Sequence, residues 1–129
     1  MRKIKVAFGL DEGGNLANKH YGDSDKFAIY EFSEDGTYRF IENRENKARD
    51  LEEHQHGDPR KFQAVISQLN DVDVIAGYWF GPNFVRIKKN SDKLPILTKT
   101  RSLKEAITKI SKNFENIWQD LSEKRSKIK

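Results

Sequence analysis

Residues 72–76, Val-Asp-Val-Ile-Ala, make a short apolar run almost without alternation. A strand of that kind is buried on both faces, as in the parallel part of a sheet with helices on each side. The run is entered from an amphipathic helical pattern in which Phe62, Val65, Ile66 and Leu69 fall at i, i+3, i+4 and i+7. Asp58 stands ahead of that pattern as a cap and Pro59 as its first-turn residue. The run is left through a turn at Gly77 to Gly81; Pro82 then starts a short second helix, and Leu94 to Leu97 supply another strand. Successive crossovers of this type are right-handed and make their strands parallel. The chain is therefore expected to be α/β.

Upstream, Lys3 to Leu10 alternate into an apolar run that stops at the turn Asp11-Glu12-Gly13-Gly14. Phe27, Ile29, Tyr30 and Phe32, then Tyr38, Phe40 and Ile41, read as a hairpin across the turn Glu34-Asp35-Gly36. Residues 42 to 57 are charged, lack an apolar stripe and read as a long surface loop. Ser102 and Glu105 match a capping box, and Leu103, Ala106, Ile107, Ile110, Phe114, Ile117, Trp118 and Leu121 keep one stripe along a single long helix. The order β-β-β-α-β-α-β-α predicts a ribonuclease-H-like, mixed five-stranded sheet with strands one, four and five parallel and helices on its faces. Residues 1–121 are expected to form one domain, with 122–129 a basic, frayed tail.

The chain has 129 residues and no cysteine, which removes disulfides, thiolate ligands and thiol nucleophiles together and fits a cytoplasmic setting. No apolar run approaches a membrane span, and the start MRKIKVAFGL reads as a first strand and not as a signal peptide. The net charge of +4 would suit an anionic partner, but much of the surplus sits in the terminal EKRSKIK, so nucleic acid ranks low as a partner.

If strands one and four are parallel, the turn after strand one, the loop after strand three and the Gly77 to Gly81 turn leave one sheet edge. This carboxyl edge is where ligands settle in open α/β sheets. His20, His54, His56 and the Gly77 to Gly81 turn should converge there. The helix starting near Asp58, with Arg60 and Lys61, would offer free N–H groups and positive charge to an anion. The structural alternative stands beside this reading: Asp58 satisfies the helix start itself, the loop histidines are solvated, and His20 organises its own turn.

Four segments in this order resemble a known family: "KVAFGLDEGG", "HYGDSDKFAIYEF", "HQHGDPRKFQAVI", and "DVIAGYWFGPNF" ahead of "LPILT". The family is the dinitrogenase iron-molybdenum cofactor-binding proteins of the NifX and NafY type, and the likeness runs from about residue 3 to residue 108. It implies a ribonuclease-H-like fold without nuclease activity and a role in binding or carrying a metal-sulfur cofactor or its precursor. It also implies that His20, in the position of the motif histidine, faces the metal. The candidate binding set is His20, Gly22, His54, His56, Gly57, Arg60, Gly77 and Gly81, with no catalytic residue. Tyr21 stands where the family usually has Phe, and bulky Tyr78, Trp79 and Phe80 would narrow a pocket or give it an aromatic wall.

Three functions from different classes compete. The first is a non-enzymatic carrier or accessory protein for an anionic, iron-molybdenum-type or other metal-sulfur cluster, working between donor and acceptor proteins. The second is a metal-free interaction or small-anion module on the same fold. The third, ranked last, is a two-metal nuclease. That chemistry wants converging carboxylates, and strand one offers only Asp11 and Glu12 at its end, strand four only Asp73.

Overall fold

A computed structural model of the protein describes residues 1–48, 59–81 and 83–128. Its strands are β1 (Lys3–Leu10), β2 (Lys26–Ser33), β3 (Tyr38–Glu45), β4 (Val74–Gly77) and β5 (Leu94–Leu97). Its helices are α1 (Pro59–Ser67), α2 (Asn83–Asn90), α3 (Leu103–Lys112) and α4 (Phe114–Ile128), with a single 3-10 turn at Tyr21–Asp23. The strands form one mixed sheet in the order β3-β2-β1-β4-β5. The first three are antiparallel neighbours, while β1, β4 and β5 are parallel, as the sequence predicts.

Alternation along β1 divides the core. Ile4, Val6, Phe8 and Leu10 lie with Ala106, Ile107, Ile110, Phe114 and Ile117 of α3 and α4. Ala7 lies on the opposite face with Phe27, Ile29 and Ile75, and with Val65, Leu69 and Ile87 of the α1 and α2 segments. All four residues of β4 are buried, which is why its sequence does not alternate. No helix among the described residues is long and apolar enough to cross a membrane.

Two expectations need correction. First, Glu42 to Glu45 are not loop but the second half of β3, paired with Ile29 to Lys26. β3 is an edge strand with one partner, so charged side chains suit it and no apolar alternation marks it. Second, the single long helix is two. At Asn113 the backbone leaves helical geometry (φ −107, ψ 19), its N–H is shared between the Lys109 and Ile110 carbonyls, and its side-chain amide donates to Lys109 O at 2.8 Å. The stripe survives the break because Phe114, Ile117 and Leu121 stay buried. Residues 122–128 belong to α4, where Lys124 Nζ donates to the carbonyls of Ile87 and Lys93 at 2.7 and 2.5 Å.

Candidate functional site

The segment from Asp11 to Asp25 leaves the carboxyl end of β1 and returns to β2 at the same edge. It is tied down in its middle, where Leu16 N–H donates to Arg101 O at 2.9 Å and Ala17 N–H to Gly9 O at 3.0 Å. The 3-10 turn then closes through Asp23 N–H to His20 O at 2.8 Å, and the Ser24 hydroxyl donates to Tyr21 O at 2.7 Å.

Tyr21 is the anchor. Its ring is buried between Phe27 and Phe80, with centroids 5.2 and 4.9 Å away, and its hydroxyl donates to Ala7 O at 2.7 Å. Burial without a charged partner raises the phenol's pKa well above its ordinary value. The ring has room because β4 ends in Gly77: a methyl group there would sit 2.7 Å from Tyr21 Cδ1.

His20, next to this anchor, meets the other glycine of the same turn. A methyl group on Gly81 would lie 2.7 Å from both Nε2 and Cδ2 of His20 and 2.8 Å from Cε1. Gly81 also has φ +70, where a side chain is strained. Trp79 completes the setting, edge to face with the imidazole at a centroid distance of 4.5 Å and 77°. Half of Trp79 stays exposed, while Phe80 is buried. The two ends of the Gly77 to Gly81 turn thus receive consecutive side chains, Tyr21 at one glycine and His20 at the other.

The other predicted residues are placed less tightly. Gly22 packs on α1, with Val65 Cγ2 at 3.4 Å from where its methyl would be. Arg60 is exposed at the start of α1. His54, His56 and Gly57, with the proposed Asp58 cap and Pro82, lie outside the described residues. Lys61 departs from expectation. It does not offer charge to an anion at the helix start, because its side chain is buried and paired with Asp23. The mouth is less positive for it, but the turn is fixed to α1.

The sequence reading missed Asn46, whose buried side-chain amide donates to both Gly22 O and Ser24 O at 2.8 Å, while its Oδ1 accepts from Ala48 N–H and Gln68 Nε2. It clamps the histidine turn to the end of β3. Its only sequence signal is a place just past a strand end, invisible while that strand is read as loop.

The carboxylates nearest the strand ends are engaged in other contacts. Asp11 accepts from Arg101 at 2.8 Å, and Asp73 accepts from Lys5 N–H at 2.8 Å and pairs with Arg125 at 3.0 Å. Among the described residues no group of three or more His, Cys, Asp or Glu side chains could hold a metal ion. Among the described residues, the nitrogen donor at this edge is one imidazole beside a bare glycine Cα. That suits a group that brings most of its own ligands, such as a cluster with its own sulfides, better than a naked cation.

A family model described as "Dinitrogenase iron-molybdenum cofactor" matches residues 2–113 of the chain. No curated protein matches it.

Proposed function

The chain belongs to the dinitrogenase iron-molybdenum cofactor family, and from that premise we propose that it is a non-enzymatic carrier or accessory protein for an anionic metal-sulfur cofactor or its precursor. His20 is the point of attachment. The observation that carries this reading is the seating of its imidazole, with Nε2 against the side-chain-free Gly81 at the carboxyl edge of the sheet. Gly81 keeps clear the space that any larger residue would take from Nε2, and Tyr21 fixes the backbone from which the imidazole projects. The cargo supplies its own sulfides, and His20 supplies an imidazole nitrogen donor on a preorganised turn. Trp79, half exposed beside His20, gives donor and acceptor proteins an apolar contact at the place where cargo would change hands.

The test is anaerobic incubation of the parent, His20→Ala and Trp79→Leu with a synthetic iron-molybdenum-sulfide cluster, followed by desalting, metal analysis and visible absorption. The parent and Trp79→Leu should retain cluster in stoichiometric amount, and His20→Ala should lose most of it. Equal retention by His20→Ala, with its melting temperature unchanged, would leave the histidine no role in attachment.

A further inference from the structure

The α3–α4 break opens a second, unrelated feature on the other face of the sheet. A groove of about 300 Å³ runs between β5 and the helices, floored by Ile96, Ala106, Ile110 and Ile117 and rimmed by Lys99 and Lys109. Its room comes from Ala106, the small residue of an otherwise bulky stripe, and from Asn113, where the helix axis is interrupted. At the charged end one lysine is held by a hydrogen bond and the other stands exposed where the backbone turns. Lys109 Nζ donates to Thr98 O at 3.2 Å, and Lys99 is held at φ 58, the one non-glycine residue with positive φ among those described.

From this juxtaposition we infer that the groove binds a medium-chain aliphatic carboxylate, its chain along Ile96, Ala106, Ile110 and Ile117 and its head group between Lys99 and Lys109. The volume is at the small end for ligand cavities and suits a chain of about eight to ten carbons. The charge pattern selects the head group, since both titratable rim residues are cationic. A partner's strand fits less well. Leu94 and Thr98 direct their N–H groups inward to Asp73 O and Gly77 O, which turns the nitrogen of Pro95 outward and leaves that point of the edge without a donor. Against a second copy of the chain stands the charge of the rim, since Lys99 and Lys109 of each copy would be brought together.

The proposal is tested by calorimetry and methyl NMR with decanoate, octanoate and decanol, each below its aggregation concentration. Decanoate should bind and shift the Ile96 and Ile110 methyl signals, octanoate should bind more weakly by about fourfold for each methylene removed, and decanol should bind at least tenfold more weakly than decanoate. Lys99→Gln with Lys109→Gln should bring decanoate down to the level of decanol without lowering the melting temperature, and Ala106→Leu should abolish binding of both. Decanol binding as tightly as decanoate, indifference to the lysine substitutions, or no saturable decanoate binding in the parent would each overturn the inference. So would a concentration-dependent dimer whose interface protects these methyl groups.

Discussion

The two faces of the sheet are packed by different rules. On the α3 and α4 side the apolar cluster runs from Ile4, Val6 and Phe8 to Ile110 and Phe114, and it is joined by the buried Thr98, whose hydroxyl donates to its near neighbour Thr100 O. On the α1 and α2 side, the apolar cluster of Ala7, Phe27, Ile29 and Ile75 is joined by buried polar groups, and each finds a partner: the Tyr21 hydroxyl on Ala7 O, Asn46 on Gly22 O and Ser24 O, Lys61 on Asp23, Lys93 on Asn70 O and Val72 O. The first face contributes undirected burial and the second contributes position. The histidine turn is built on the second face because an apolar contact alone would let it slide.

The comparison predicts different failures on the two sides. Phe8→Ala should have the largest effect, lowering unfolding free energy by about 3–5 kcal/mol in urea titration, since it leaves a cavity in a layer with no polar network to rearrange. Gly77→Ala should cost about 1–3 kcal/mol and, unlike Phe8→Ala, should move the NMR signals of Tyr21 and His20 together. Unchanged signals there would mean that the turn does not rest on Gly77. Asn46→Ala should cost a similar or slightly smaller amount, about 1–3 kcal/mol, with faster amide exchange confined to residues 20–25.

Tyr21→Phe should cost about 1 kcal/mol at neutral pH, the net worth of one buried hydrogen bond. It also has a signature in alkali. The folded phenol's pKa is raised by burial, so above an unfolded pKa of about 10 the unfolded chain binds fewer protons than the folded one, and stability falls as pH rises. The parent should lose stability more steeply than Tyr21→Phe in that range, and parallel pH profiles would place the phenol in contact with solvent. The smallest effect belongs to the rim. The Arg44 guanidinium holds the Asp71 carboxylate well below its ordinary pKa, so its contribution is complete above about pH 4 and is lost as pH falls below it. Asp71 is substantially exposed, and Asp71→Asn should change stability by no more than about 1 kcal/mol, an effect that salt removes.

Period and punctuation make the fold legible. The unalternating run at β4, the alternation of β1 and the stripe of α3 each report burial, and they lead to the mixed sheet, its parallel strands and the meeting of His20 with the Gly77 to Gly81 turn. Elements that do not bury apolar side chains escape such reading. The end of β3 is an edge strand of charged residues, and the Asn113 break leaves the spacing of Ile110, Phe114 and Ile117 intact. The supports of the site are hidden for another reason. Asn46 binds backbone carbonyls and Lys61 finds Asp23 across 38 residues, and neither contact has a signature in local sequence.

In the function proposed above, the His20 imidazole, seated at Gly81, is the attachment point for an anionic metal-sulfur cargo. That role is tested most directly by following the ring nitrogens of ¹⁵N-labelled histidine while a synthetic iron-molybdenum-sulfide cluster is titrated anaerobically into the intact protein, with His20 assigned from His20→Gln. The His20 Nε2 resonance should broaden or shift in proportion to cluster added, the first of the three histidines to respond. A cluster that stays with the protein on desalting while the His20 resonance does not move would contradict it.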